Sequence, residues 1–469
     1  MDKQHTTTDD SPTAQPVLFG EAAGFTPASA AQAAPAPAAG KPRLQRADRA
    51  QAEFRTVLLD EWLPEDHLAR VVWNFVEHLD IGPLLAQVRA TEHRAGQPHI
   101  DPRLLLAVWL LATIEGIGSA RRLDKLCAYH LAYLWLLGGV TVNYHTLSDF
   151  RVGHGDFLDK VLTDSVASLL AEKLITLQRT AQDGMRVRAS AGTSSFRSRQ
   201  RLQQFQDEAR DHVRELKEEL QKDSATANRR QQAARGRAAR ERDERLQRAL
   251  QNLTEIEAHM EAREKGSSQK ARASLSDPEA RKMKMPDGGF RPAYNVQFAT
   301  DDSGITVGCD VTNQGTDAGL MEPMIEQIED GLGQAPKEHL ADGGFSTLKD
   351  IDAVETEHDT KVYTPVKDEQ KKRQAGVDPF AACQGDSPAV ADWRQRMGTA
   401  EGQSIYQHRG ETAEWVNARS RQRGMYQFTV RGRAKVYIVV LWHVLAHNLI
   451  HARTLRARKN LQTGNKASE

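Results

Sequence analysis

The most constraining feature of this sequence is a long charged segment, residues 199–273, built almost entirely from helix-forming residues. It is rich in Arg, Glu, Gln and Ala, lacks proline, and contains a single glycine, Gly236, before Gly266. Apolar residues recur along it at roughly helical spacing: Leu202, Phe205, Val213, Leu216 and Leu220, then Leu246, Leu250, Leu253 and Ile256. This pattern predicts an antiparallel helical hairpin with its turn near residues 224–228.

A strand pattern that carries an Asp-Gly pair precedes this segment. In residues 180–191, TAQDGMRVRASA, Met185, Val187 and Ala189 alternate with polar residues, a period of two that is typical of a strand. Asp-Gly is foremost a turn dipeptide, so Asp183 indicates little by itself. Strand patterns resume after the charged segment, and the hairpin is therefore predicted to be an insertion into an α/β core.

Further strands follow the insertion. Residues 290–302 and 304–313 predict a β-hairpin, since a turn-forming DDSG joins them. Residues 338–345, HLADGGF preceded by Glu, predict a strand that ends just before Asp342, which is where open α/β sheets place their sites. Residues 360–366 predict a fifth strand. The polar stretch 367–402, with an isolated Trp393, predicts a loop or small insertion.

A third carboxylate lies on a predicted helix within residues 406–421, YQHRGETAEWVNARSR. Glu414 and Arg421 are seven residues apart and share one helical face. Glu411 lies three residues before Glu414, but near the expected helix start, where an acid commonly complements the helix dipole. We therefore assign Glu414, rather than Glu411, as the third member of the set.

The N-terminal third is expected to be helical after a tail. Residues 1–52 are rich in Ala, Pro, Thr and Gly and predict disorder. Amphipathic patterns begin near Asp60, and a strongly apolar helix after Asp101 is followed by a break at residues 116–118 and a second helix from Ser119. Helix, short turn and helix is compatible with a DNA-reading motif or with an ordinary packed helical pair.

Composition sets limits on the partners and the compartment. The 63 basic and 63 acidic residues cancel, yet residues 406–459 contain eleven Lys or Arg and two acidic residues, a distribution suited to phosphates or to a solvated helical face. No stretch offers the ~20 apolar residues of a membrane span, and the N-terminal residues lack an apolar signal core. The scattered Cys127, Cys309 and Cys383 favour a reducing cytosol. We expect a cytoplasmic, nucleoid-associated protein without a membrane partner.

Taken together, these motifs resemble those of bacterial insertion-sequence transposases of the DDE class. Asp183, Asp342 and Glu414 match the three carboxylates, and Tyr406, Arg409, Glu414 and Arg421 resemble the Tyr-Arg-Glu-Lys signature of one large branch. Arg421 departs from that signature, because it replaces a compact ammonium by a planar guanidinium. Residues 101–151 are similar to the N-terminal helical domain of these enzymes, and residues 431–449 are likewise similar to their C-terminal part.

The resemblance implies an α/β fold with an RNase H-like catalytic core, a mixed five-stranded sheet flanked by helices, together with an all-α N-terminal domain and the charged helical-hairpin insertion. The expected domains are a disordered tail (1–52), a helical DNA-binding and assembly domain (53–176), the catalytic core (177–198 and 274–460), the hairpin insertion (199–273) and a second disordered tail (461–469).

The resemblance also implies an activity: metal-dependent phosphodiester cleavage at the element ends and strand transfer to target DNA. Asp183, Asp342 and Glu414 are the expected catalytic residues and ligands of Mg²⁺, with Mn²⁺ as a substitute. Two divalent ions ~3.5 to 4 Å apart can activate the attacking oxygen and stabilise the leaving one, and Mg²⁺ prefers oxygen ligands. Tyr406, Arg409 and Arg421 are expected to hold DNA phosphates.

The partners implied are double-stranded DNA, both terminal inverted repeats and target, and further copies of the chain in a homo-oligomer on DNA. Two alternatives stay open. One is a catalytically inactive transposase-derived DNA-binding protein that keeps the helices and the basic surface. The other is an RNase H-like nuclease with a different substrate.

Overall fold

A six-stranded mixed sheet lies at the centre of the structure, a computed structural model that describes residues 58–88, 99–222 and 229–466. The strands of the chain are β1 (Arg179–Arg188), β2 (Phe196–Arg197), β3 (Ala273–Ser274), β4 (Arg281–Lys284), β5 (Phe290–Asp301), β6 (Thr306–Thr312), β7 (Glu338–Ala341) and β8 (Lys361–Tyr363). The described residues belong to one compact unit, and the division into domains stays a prediction. The tail at residues 1–52 lies outside the described residues.

The order of the main sheet is β4-β5-β1-β7-β8, with β6 also paired to β5. β1, β5 and β6 pair antiparallel, whereas β7 adds parallel to β1 and β8 parallel to β7. The prediction of five strands was wrong by one, because β5 is long enough to pair with β4 over residues 290–293 and with β6 over residues 295–300. Only Met283 is buried in the short β4, so that strand has no apolar alternation to reveal it.

The N-terminal part is helical. Its helices are α1 (Leu68–Glu77), α2 (Gly82–Leu85), α3 (Pro102–Ile114), α4 (Ala120–Tyr129), α5 (Leu131–Leu137), α6 (Tyr144–Gly153) and α7 (Gly155–Ala171). Asp101 caps α3 and Ser119 caps α4, so the predicted helix starts are confirmed. Ten of the thirteen residues of α3 are buried. This helix is apolar all round because other helices surround it.

The charged segment contains α8 (Arg199–Lys222) and α9 (Arg229–Arg263). They run antiparallel, since Arg199 at the start of α8 pairs with Glu257 near the end of α9. Leu202, Leu246 and Leu253 are buried between the helices, as their spacing predicted. β2 and β3 pair at the base, so the two ends of the insertion meet beside the main sheet. The predicted turn lies mainly in residues 223–228, outside the described residues.

The C-terminal part supplies α10 (Glu322–Leu332), α11 (Leu348–Glu357), α12 (Glu369–Gln374), α13 (Pro388–Gly398), α14 (Ala400–Gln407), α15 (Arg409–Gln422) and α16 (Arg433–Lys466). Residues 367–402 were predicted to be a loop or small insertion, and the loop interpretation was wrong, because α12, α13 and part of α14 lie there. Trp393 is 1% exposed and packs in the same core cluster as Ile351. Its apolar face on α13 is only two turns long, and the charged residues around it hid the periodicity in the sequence.

The C-terminal helix corrects two further expectations. α16 continues through Lys466, so residues 461–466 are helical rather than a disordered tail, since no proline interrupts them. Residues Arg433–Gln462 are long and apolar enough to span a membrane by length and composition, contrary to the sequence interpretation. However, 61% of the most apolar window is buried within the protein, where α16 packs against α3, α7 and β6. Such burial is typical of a core helix.

Candidate active site

Asp183 lies near the middle of β1, and its side chain faces α15. Its Oδ2 accepts a hydrogen bond from Asn417 Nδ2 at 2.7 Å, and its Oδ1 accepts one from the Gly184 backbone N–H at 2.9 Å. Burial raises the pKa of the Asp183 carboxyl to about 6, and the negative charge of Asp342 adds to this increase. The Arg409 guanidinium and the two hydrogen bonds oppose it without cancelling it. Asp183 is therefore a buried carboxylate whose charge is incompletely compensated.

Asp342 follows β7 directly, as the sequence predicted. Because Ala341 pairs with Gln182 in the parallel β1–β7 ladder, Asp342 and Asp183 occupy the next positions on adjacent strands. Adjacent strands lie about 4.8 Å apart, which brings the two aspartates close together at the point where β7 ends. Asp342 Oδ1 accepts a hydrogen bond from the Gly344 N–H at 2.7 Å, and its side chain is half-buried. The structure thus brings together two of the three predicted carboxylates.

Glu414 is not part of this pair. It lies on α15, its side chain is 64% exposed, and its Oε1 is 3.4 Å from Arg409 Nη2. Glu411 lies in the first turn of α15, as expected, and its side chain is 3.8 Å from His408. Among the described residues, no three His, Cys, Asp or Glu side chains are grouped so that they could hold a metal ion.

The predicted phosphate-binding residues differ in their positions. Tyr406 and Arg409 lie near the aspartates: the Arg409 charge lowers the pKa of Asp183, whereas the Asp342 charge contributes to the raised pKa of Tyr406, which burial dominates. Arg421 is half-buried near the end of α15 and makes no ion pair with a described carboxylate. Two of the three residues therefore accompany the aspartates, and Arg421 lies more than three helical turns from Arg409.

The donor atoms at the aspartate pair suit a hard cation. Carboxylate oxygens without thiolate or imidazole neighbours are the ligands that Mg²⁺ prefers. In addition, Asn417 Oδ1 is buried without a hydrogen-bond partner, although Nδ2 of the same amide is bonded to Asp183. An unpaired buried oxygen beside two carboxylates is costly unless a cation or a water satisfies it. Asp183 and Asp342 thus fit a divalent ion, and Glu414 would have to turn towards them to complete the set.

The sequence interpretation missed a polar network on the opposite face of β1. Asp317, in the loop after β6, accepts hydrogen bonds from Asn295 Nδ2 at 2.6 Å and Gln297 Nε2 at 2.9 Å, and it pairs with Arg186 at 2.9 Å. Gln182 Nε2 donates to Gln297 Oε1 at 3.0 Å and so extends the network along β1. All these side chains lie beneath the strand that carries Asp183.

The network continues from Gln182 to β7. His339 Nε2 is 3.1 Å from Gln182 Oε1, and its Nδ1 is 2.8 Å from Thr180 Oγ1. Burial lowers the pKa of His339 to about 3, so its ring is neutral. Gln182 uses its amide hydrogens on Gln297 and on the Leu320 carbonyl, which leaves its oxygen to accept from His339. Each group in this series of hydrogen bonds therefore donates to the next, from Thr180 through His339, Gln182 and Gln297 to Asp317. The series links β1 and β7.

One signal in the sequence anticipated these residues. Strands that are covered on both faces of a sheet are normally apolar on both faces. Gln182, Asn295 and Gln297 are polar residues within the predicted strands, and no role was assigned to them from the sequence. In the structure all three are at most 1% exposed.

Comparisons with known proteins place the helical N-terminal part in a family. Residues 57–153 match the family model described as Transposase domain (DUF772), which is 97 of the 469 residues and includes α3, α4 and α6. No curated protein and no solved structure matches the chain. The match to the helical segment relates this chain to a transposase family.

Proposed function

We propose that this chain is a DNA transposase of the DDE class, which cleaves phosphodiesters at element ends and transfers the freed 3′-hydroxyl to target DNA. Double-stranded DNA is its substrate and Mg²⁺ its cofactor, with Mn²⁺ able to substitute. The observation that carries the proposal is the pair Asp183 and Asp342, two carboxylates held side by side on adjacent parallel strands, where β7 ends and β1 continues. Their mutual repulsion is a cost to the fold, and a bound divalent cation would remove it.

The sheet supports an RNase H-like core. Three antiparallel strands, β6, β5 and β1, are followed by two strands that add in parallel on the free edge of β1. This is the order expected for such a core, with the first aspartate on the central strand and the second after the next parallel strand. The family model matched by the N-terminal helices supports a transposase-related function, and this support rests on residues outside the sheet.

In this reaction the residues near the aspartate pair would have three roles. Asp183 and Asp342 would hold the ion, and Asn417 would orient the Asp183 carboxylate through its Nδ2 hydrogen bond. Arg409 and Tyr406, beside the aspartates, would grip the phosphate that carries the scissile bond. When bound, the divalent ion supplies activation of the attacking oxygen and stabilisation of the leaving oxygen.

For Glu414 to reach the two aspartates, its side chain would have to leave Arg409. At 64% exposure the Glu414 side chain is free to change rotamer, and an exposed ion pair of 3.4 Å is worth little. The exchange would free Arg409 for phosphate at the same time. The position of Glu414 in the structure also favours the second candidate, a DNA-binding protein derived from a transposase that has lost catalysis, because only two carboxylates are in place.

A nicking experiment with matched variants separates the two candidates. A duplex with the element end is incubated with Mg²⁺ and equal folded concentrations of wild type, Asp183→Asn, Asp342→Asn and Glu414→Gln. We expect each variant to lose about a hundredfold or more in nicking rate while still binding the duplex. Glu411→Gln is the matched control and should lose no more than about threefold, since it acts only through the helix dipole.

Two outcomes would count against the assignment. Wild type that binds the duplex without nicking it, in Mg²⁺ or Mn²⁺, would favour the inactive DNA-binding protein. Active Glu414→Gln with inactive Glu411→Gln would show that the third carboxylate lies one helical turn earlier, and the role of Arg409 would then have to be reassigned.

A further inference from the structure

A positively charged cleft lies between the turn that follows α3 and the segment that follows α15. Arg151 from α6, Arg423 after α15 and His443 from α16 line it, and its volume is about 90 Å³. A cavity of that volume admits several water-sized groups. None of these three side chains belongs to the aspartate site.

Neither guanidinium in this cleft has a carboxylate partner. Arg151 donates to the Gly118 carbonyl at 2.5 Å and to Thr429 Oγ1 at 3.2 Å, and it lies 4.9 Å from the Trp109 ring centroid. All of these partners are neutral. Among the described residues, no acidic side chain lies within ion-pair distance of Arg151 or Arg423. Burial lowers the pKa of Arg151 to about 10 and also lowers that of Arg423, with no carboxylate to oppose it.

Several other buried or half-buried arginines among the described residues have carboxylate partners. Arg394 pairs with Asp386 at 2.8 Å and Arg186 with Asp317 at 2.9 Å, and Arg396 contacts Glu355. Enclosing a cation is costly unless an anion accompanies it. Two arginines that share one cleft without an anion therefore indicate that an anion from outside the chain completes the site.

His443 provides a second, independent observation. It is 7% exposed, it lines the cleft, and its Nδ1 is buried without a hydrogen-bond partner. Burial and the charges of Arg151 and Arg423 lower the pKa of His443 to about 3, so the ring is neutral. A neutral imidazole carries one N–H donor, so His443 brings a hydrogen-bonding side chain to the lining of the cleft without adding charge.

Two glycine-containing turns line the cleft. Gly116 (φ +71°) and Gly424 (φ +89°) adopt left-handed conformations, and a Cβ on Gly424 would lie 3.4 Å from the Gly116 carbonyl oxygen. The two turns thus pack backbone against backbone, and their left-handed conformations favour glycine over residues with a side chain. The cleft joins the segment that matches the transposase domain to the C-terminal part of the chain.

We propose that this cleft binds a phosphodiester of the DNA backbone. Two planar guanidiniums beside a neutral imidazole match the oxygens of a phosphate, which accepts several hydrogen bonds at once. The neighbouring Arg419 and Arg421 on α15 extend the positive charge towards the aspartate site. The inference rests on the proposed function in one respect only, that DNA is the partner.

The test measures DNA binding by the full-length protein as a function of salt. The probe is a duplex read by fluorescence anisotropy from 50 to 300 mM KCl, without Mg²⁺ so that no cleavage occurs. We expect Arg423→Gln to weaken binding about tenfold at the lowest salt and to reduce the slope of log K against log salt by about 1. Arg423→Lys should keep most of the slope. Thermal unfolding of each variant verifies the fold.

Lys361→Gln is the matched control, because it removes one exposed positive charge at the opposite end of the sheet and should leave the slope unchanged. A second arm measures the melting temperature in sodium phosphate against chloride at equal ionic strength. A folded Arg423→Gln protein with an unaltered slope would overturn the DNA assignment, whether or not phosphate stabilises the wild type. If Arg423→Gln changes the slope as expected but the wild-type protein does not nick DNA, the proposed catalytic activity is wrong and the phosphodiester site is still supported.

Discussion

Two carboxylates on opposite faces of β1 show how differently one fold can treat the same chemical group. Asp317 lies beneath the strand and receives a guanidinium and two amide donors at 2.6 to 2.9 Å. Asp183 lies above it, with one amide and one backbone N–H, and it faces a second negative charge from Asp342. The first group is electrostatically complete within the chain, and the second is not.

This difference separates a structural carboxylate from a ligand-binding one. A carboxylate that is fully paired has no reason to recruit a cation, and its removal leaves donors unsatisfied. A carboxylate that is under-compensated costs stability in the ion-free protein, and the cost is recovered when a cation binds. Functional sites are commonly destabilising for this reason. Mutating each aspartate in turn should therefore give opposite effects on stability.

The largest effect is expected for Asp317→Ala. The substitution leaves Arg186, Asn295 and Gln297 without their shared acceptor, so the free energy of unfolding should fall by about 3 to 4 kcal/mol. Chemical denaturation at pH 7 measures the change. Asp310→Ala on β6 is the matched control, because Asp310 is exposed and its removal should alter stability by less than about 0.5 kcal/mol. Equal losses in Asp317→Ala and Asp310→Ala would show that the Asp317 network contributes no more to stability than an exposed carboxylate does.

Asp183→Asn should act in the opposite direction. The pKa of Asp183 rises from 3.8 to about 6 on folding, so the folded state holds this proton more tightly than the unfolded state. That stability is complete below pH 4 and is lost as pH rises through 6. The neutral Asn avoids the loss, and at pH 7 without metal the variant should be about 2 kcal/mol more stable than wild type.

Two measurements sharpen this prediction. At pH 4 wild type and Asp183→Asn should differ by less than about 1 kcal/mol, because the folded Asp183 side chain is then protonated. Addition of Mg²⁺ at pH 7 should raise the melting temperature of wild type and not that of the variant, since only the ionised pair binds the ion. A variant that is less stable than wild type at pH 7 would show that Asp183 is a structural residue like Asp317.

The smallest effect concerns Gly184, which follows Asp183 on β1 and faces the Asp317 network. A Cβ on Gly184 would clash with Asp317 Oδ1 and lie 2.5 Å from Gln297 Nε2. Gly184→Ala should therefore displace the network and lower the free energy of unfolding by about 1 to 2 kcal/mol. In the control Gly153→Ala, no atom lies within 4 Å of the new Cβ, and a melting temperature equal to or slightly above wild type is expected. Thermal unfolding compares the two.

Much of the candidate site followed from local sequence signals. Asp183 was assigned to a strand from the alternation of Met185 and Val187, and Asp342 to a strand end from a short apolar run. The proximity of the two then follows from parallel pairing. Glu414 could be assigned to a helix, but its rotamer could not, because it depends on the competing contact with Arg409. Asn417 gave no signal, since an asparagine within a helix is ordinarily a surface residue.

The sequence by itself determined the elements of this protein: the charged helical hairpin, the strands around the two aspartates and the buried α3. These elements depend on periodicity and capping, which act over a few residues and can be recognised in the sequence. Tertiary structure alone decided which polar side chains are buried together. The Asp317 network joins residues up to 159 positions apart, and the cleft joins Arg151 to His443. Charge compensation is a sum over neighbours in space, and neighbours in sequence carry almost no information about it.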